Sequence, residues 1–150
     1  DALRSTLLLF YTGKRRAAAT ILGQQDSDTR SGNTEIIDSL HETKRIGYEV
    51  QDALESGDVG AFGKLLDVHW QNKKKRSSMI SDSDIDGWYE GAMDAGAWGG
   101  KVMGAGGGGF LLLSSPTEHR SAIRTSLAGS GMREVPFEFD WEGAKVLVNL

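Results

Sequence analysis

The residues best placed to do chemistry are glycines. In "GKVMGAGGGGFLLLSS", residues 100–115, Gly104, Gly106, Gly107, Gly108 and Gly109 stand directly before the apolar run Phe110–Leu113. Glycine loses more backbone freedom on folding than any other residue. A loop of four in a row is therefore costly to order, and five glycines exceed what a turn requires. Consecutive glycines can turn successive N–H groups inward and form an anion-binding concavity. They also let a second backbone or a bulky phosphate approach with no Cβ in the way. The alternative is a tight helix-to-strand turn with close packing, and spacing leaves both open. "GAGGGG" satisfies G-x-G-x-x-G by letter. The dinucleotide-binding fingerprint, however, needs a strand before the motif and a helix after it. Here a helix-like segment precedes and a strand follows. A Walker loop needs Gly-Lys-Ser/Thr after the glycines, and the chain has Gly-Phe-Leu.

Other chemistry-bearing side chains are few. Lys101 could add charge beside a phosphate, or be solvated. Arg16 could hold a sugar phosphate bidentately, or be an exposed residue at a helix start. Thr12 could hydrogen-bond a substrate or cap a strand end. His69 falls on an apolar helical face and reads as a packed core residue. None of the three histidines, His41, His69 and His119, shows metal-ligand spacing. Asp82, Asp84 and Asp86 read as helix caps, and Lys73–Arg76, "KKKR", as a solvated helix end. No residue is nominated as a catalytic base.

These residues must be positioned by the rest of the chain. "TLLLFYTG" (Thr6–Gly13) reads as a buried strand. A helix follows over "KRRAAATILGQQ", closing in a polar loop, "QQDSDTRSGN". The apolar positions Ile36, Ile37, Leu40, Val50, Ala53 and Leu54 predict a long amphipathic helix. Gly57 ends it, and Asp58 caps a third helix carrying Leu66, His69 and Trp70. A fourth helix carries Ile85, Trp88, Tyr89 and Ala92. The glycine loop then leads to the strand Phe110–Ser114 and a helix built on Ile123 and Leu127. Two strand candidates finish the chain, Arg133–Phe139 and residues 144–150. Helices in runs and strands gathered late predict an α+β fold, a layer of helices over a mostly antiparallel sheet.

Bulk properties set limits. The chain has 150 residues, one domain's worth. Its apolar fraction of 39% is enough for a core. A net charge of −4 argues against a general nucleic-acid or membrane-surface binder. With no cysteine there is neither a disulfide framework nor a thiolate metal site, which fits a reducing cytoplasm. The start, "DALRSTLLLFYTG", has no Met and no signal-peptide pattern, and reads as a chain whose beginning lies elsewhere.

"GGKVMGAGGGGFLLL" resembles the third signature motif of the GHMP small-molecule kinases, a glycine-rich loop leading into a core strand of their C-terminal domain. "LLLFYTGKRRAAATIL" resembles the opening of that domain. "AFGKLLDVHWQNKKKRSSMIS", "IDGWYEGAMDAGAWGGK" and "REVPFEFDWEGAKV" continue the likeness, nearest to the branch acting on heptose phosphates. The resemblance implies a ferredoxin-like α+β unit spanning residues 1–150, the C-terminal domain of an ATP- and Mg2+-dependent sugar kinase. The N-terminal catalytic and ATP-binding domain would lie outside this chain, and the chain alone would be inactive. Lys101 and Gly104, Gly106, Gly107, Gly108 and Gly109 would then border the nucleotide phosphates. Thr12, Gly13 and Arg16 would lie on the acceptor-sugar side. Lys14 and Arg15 stand where that branch has small polar residues. Partners would be ATP, a sugar phosphate and the N-terminal domain, with neither nucleic acid nor membrane; a second copy could form a dimer. The competing expectation is a non-catalytic ferredoxin-like binding or dimerisation module.

Overall fold

The structure is a computed structural model that describes residues 2–15 and 17–143. A short helix α1 (Ala2–Thr6) runs into strand β1 (Leu7–Tyr11). Four helices follow: α2 (Ala18–Arg30), α3 (Thr34–Glu55), α4 (Val59–Lys74) and α5 (Ser83–Asp94). Strands β2 (Gly99–Val102) and β3 (Phe110–Ser114) flank the glycine loop. A single 3-10 turn, helix α6 (Arg120–Leu127) and strand β4 (Arg133–Glu134) complete the described order.

The four strands among the described residues form one antiparallel sheet in the order β2-β3-β1-β4. Taking the helices between β1 and β2 as one crossover, this is the β-α-β-β-α-β pattern of the expected ferredoxin-like fold. Leu8, Phe10, Leu111, Leu113 and Val102 share one sheet face. They are packed beneath Ile85, Tyr89 and Ala92 of α5 and Ile123 and Leu127 of α6. Burial of such a set is the main favourable term in folding.

Three sequence expectations are corrected. The element before the glycine loop is a strand, β2, so the loop joins two antiparallel neighbours rather than a helix to a strand. Residues 24–30, expected as loop, continue α2. Gln25 accepts from the Thr29 hydroxyl at 2.7 Å, Arg30 pairs with Asp26 at 3.0 Å, and the chain turns only at Gly32. The strand expected over Arg133–Phe139 stops after Glu134. Val135 adds one more bond to Leu9 O, at 2.8 Å. Pro136, with no N–H, cannot continue the ladder. The last expected strand, residues 144–150, lies outside the described residues.

Helix starts follow capping chemistry. Asn33 accepts from the amides of Glu35 and Ile36, Asp58 from Ala61, and Asp82 from Ile85. Each satisfies a donor the first helical turn leaves free.

Candidate functional site

The glycine loop is held from both sides. Gly107 donates its N–H to Ile80 O at 2.7 Å, on the connection between α4 and α5. Gly109 donates to Lys14 O at 3.0 Å, on the turn after β1. The N–H groups of Gly106 and Gly108 have no internal acceptor among the described residues. Alternate amides thus anchor the loop, and the ones between remain available to a ligand.

Two positions explain why bare backbone is required. Gly106 has φ +103°, and a Cβ there would sit 2.9 Å from Ile80 Cγ2 and 3.0 Å from Ile80 O. Gly108 has φ +144°, and a Cβ there would meet Lys14 O at 2.7 Å. The loop is packed closely against Ile80 and Lys14, so valine at position 106 would disturb folding.

Thr12 is buried, with its hydroxyl donating to Gly109 O at 3.0 Å and accepting from the Lys14 amide at 3.3 Å. It therefore closes the strand end against the loop. Gly13 turns the chain at φ +72°. Arg16 lies outside the described residues. Lys14 is held by carboxylates: its ammonium donates to both oxygens of Asp82 at 2.8 Å and pairs with Asp84 at 2.8 Å. It also lies 5.3 Å from the centre of the Trp88 ring. These two carboxylates hold its pKa above the ordinary lysine value against the opposing pull of desolvation, the largest single influence.

Lys101 is half-buried on β2, and burial, followed by the Arg76 charge, lowers its pKa. It does not line the cavity beside the glycine loop. The "KKKR" run is not a solvated helix end. Lys73 and Arg76 are both buried. The Lys73 ammonium donates to Val102 O at 3.1 Å and Gly104 O at 2.5 Å, fixing the loop's entry. Arg76 Nε donates to Ser39 Oγ at 2.9 Å. His69 is only partly buried, and its Nδ1 has no partner among the described residues. Desolvation, then the charges of Lys101, Arg76 and Lys73, push its pKa down to about 4, so it is neutral at pH 7.

A cavity of about 580 Å3 opens between the glycine loop and the end of β1. Gly106, Gly108 and Gly109 form one wall, while Tyr11, Phe110 and Arg133 line another. Sequence reasoning missed these last three as site residues. Their adjacency depends on the register Phe110↔Tyr11↔Arg133 across three strands, which no local pattern announces. Among the described residues no group of three or more His, Cys, Asp or Glu could hold a metal ion. Asp82 and Asp84 share the single Lys14 ammonium, which offsets one of their two charges, and Asp82 is further committed to capping α5. The described residues therefore do not fit a magnesium ion.

Residues 50–131 match the family model described as GHMP kinases C terminal. The chain belongs to that family. Among curated GHMP-kinase relatives, the D-glycero-alpha-D-manno-heptose 7-phosphate kinase of Campylobacter jejuni is 28% identical over 144 residues. The alignment covers 95% of this chain and 42% of that protein. A D-glycero-D-manno-heptose 1-phosphate kinase structure from Bacteroides thetaiotaomicron aligns at a TM-score of 0.60 and 26% identity, over 93% of this chain and 34% of that one. Leishmania major mevalonate kinase aligns at a TM-score of 0.74 and 20% identity, over 83% of this chain and 38% of that one; this shows a shared fold. The chain spans less than half the length of the curated relatives it matches.

Proposed function

We propose that this chain is the C-terminal part of an ATP-dependent sugar kinase acting on a heptose phosphate or a related sugar. The observation that carries the reading is the glycine loop's alternating amides, two anchored and two without an internal acceptor on residues that line a cavity, in a chain of the GHMP kinase family. Phosphoryl transfer asks a protein mainly for positioning and for stabilisation of phosphate charge. Preorganised backbone donors supply both without a side chain, and losing one such donor costs on the order of 3 kcal/mol of transition-state stabilisation.

In this reading the amides of Gly106 and Gly108 face the phosphate side, with Gly104, Gly107 and Gly109 holding the curvature. Thr12 and Gly13 set the acceptor side, together with Arg16. Lys101 acts at longer range through its charge. ATP and the sugar phosphate bind between this part and an N-terminal domain, which the greater length of the relatives supports. Magnesium would accompany the nucleotide and draw its ligands from outside the described residues. No observation favours the non-catalytic module over this reading.

The test is an ATP-dependent phosphorylation assay on the complete reading frame and on this chain alone, with D-glycero-alpha-D-manno-heptose 7-phosphate as acceptor. The complete protein is expected to turn over, and the chain alone to be inactive. Turnover by the chain alone would overturn the division of labour, and no turnover by the complete protein with any sugar would overturn the kinase reading.

A further inference from the structure

The cavity has a second polar wall, distinct from the glycine amides. Met103, Phe110, Tyr11 and Arg133 form a row across the sheet. Phe110 pairs with Tyr11, Tyr11 pairs with Arg133, and the Met103 amide donates to Phe110 O at 2.8 Å. Directly paired residues project from the same face, and all four line the cavity. The Tyr11 and Phe110 rings lie 5.4 Å apart with planes at 52°. Phe110 keeps 40% of its surface exposed, unusual for a phenylalanine within a sheet.

The cations around this row divide into two sets. Lys14 is neutralised by Asp82 and Asp84. Arg124 is neutralised by Glu134, at 2.7 and 2.8 Å. Glu134 is registered with Phe10 and so belongs to the opposite sheet face. Arg15 and Arg133 line the cavity, and neither has a carboxylate partner among the described residues. The Tyr11 phenol favours the charged form of Arg15. Two guanidinium groups beside an aromatic shelf, with the local carboxylates engaged elsewhere, make a station for a dianion attached to a body with apolar faces.

Resting on the kinase reading, we propose that Arg15 and Arg133 grip the phosphate which the acceptor sugar already carries, while the sugar lies on Tyr11 and Phe110. These residues would then determine specificity for a phosphorylated over a free sugar. A kinase acting on a sugar phosphate must seat two anions at once, the incoming phosphoryl group and the acceptor's own phosphate. The glycine wall and the arginine wall provide two separate positive stations for them.

The test uses the complete kinase with ATP and two acceptors, D-glycero-alpha-D-manno-heptose 7-phosphate and the same heptose without its phosphate. Arg133→Gln and Arg15→Gln are each expected to raise KM for the phosphosugar roughly 10- to 100-fold, the value of a lost hydrogen bond to a charged group. The KM for the free heptose and the KM for ATP should change far less than the KM for the phosphosugar. Arg133→Lys should recover only part of the loss, because an ammonium lacks the bidentate fork. Arg133 is exposed, so thermal unfolding of its variants serves as the control for folding. Equal losses with both sugars, an effect on ATP instead, or no effect would each overturn the proposal. If the wild type phosphorylates neither of these nor any other sugar, the kinase reading fails. Calorimetric binding of the heptose 7-phosphate then still decides the subsite: binding lost in Arg133→Gln supports it, and no binding or unchanged binding refutes it.

Discussion

The Thr12 amide and the Thr12 hydroxyl both donate to one acceptor, the carbonyl oxygen of Gly109, at 2.9 and 3.0 Å. The end of the first strand and the exit of the glycine loop are thereby fastened at a single point. The two motifs singled out for phosphate and for acceptor are parts of one rigid corner. Thr12→Val keeps the shape, removes the hydroxyl and leaves the Lys14 amide without its acceptor. It is expected to lower stability by about 1–2 kcal/mol, seen as a lower urea midpoint at unchanged m value. Thr12→Ser should cost less. An unchanged midpoint for the valine variant would mean that the hydroxyl serves only a ligand.

Asp82 and Asp84 both bind Lys14, but Asp82 also caps α5 by accepting from the Ile85 amide at 3.0 Å. Asp82→Ala should therefore destabilise more than Asp84→Ala, by about 1 kcal/mol, the usual value of an N-cap. Asp84 is largely exposed, and its own pair should contribute little. Equal losses in parallel urea titrations would show that the cap is not stabilising.

The legible parts of the molecule were those with local causes. Asp58 and Asp82 announced helix starts, and Gly57 a helix end. Ile123 and Leu127 announced a core face; they are 0% and 3% exposed. Strand β2 was missed because "GGKV" carries two glycines, which weaken any strand pattern. Its reason is tertiary: a Cβ on Gly99 would lie 2.3 Å from Gly63 O, where α4 crosses the strand. Lys73 was misread for a similar reason. A cationic run at a helix end looks solvated until the strand whose carbonyls it satisfies is in place. The glycine loop was found by composition, but which amides anchor it depends on Ile80 and Lys14, far away in sequence.

Gly104 and Gly106 both have positive φ, at 71° and 103°, but only Gly106 is crowded. A Cβ at position 104 meets nothing within 4 Å. Gly104→Ala should cost about 1 kcal/mol, for the left-handed backbone alone. Gly106→Ala should cost more, by about 1–3 kcal/mol, because Ile80 must also move. Chemical unfolding of the two variants checks the order, and a reversal would place Ile80 outside the loop's support.

Lys73 carries the pH prediction. Burial, then the charges of Lys101 and Arg76, bring its pKa down to about 8 from 10.5. Between those two values the unfolded chain binds more protons than the folded one, so stability should rise with pH across that window. Below about pH 8 the penalty for holding the buried ammonium is fully present, at most about 3 kcal/mol. Lys73→Met removes the titration and leaves the carbonyls of Val102 and Gly104 without their donor, an offset that does not vary with pH. Tyr89, whose pKa burial and then Asp67 push far upward, works in the opposite direction above pH 10 and cancels between the two proteins. The stability of the wild type minus that of Lys73→Met should therefore be flat below pH 8 and climb towards pH 10.5. A difference that stays level from pH 7 to 11 would mean that the bonds to Val102 and Gly104 hold the ammonium near its ordinary pKa despite its burial.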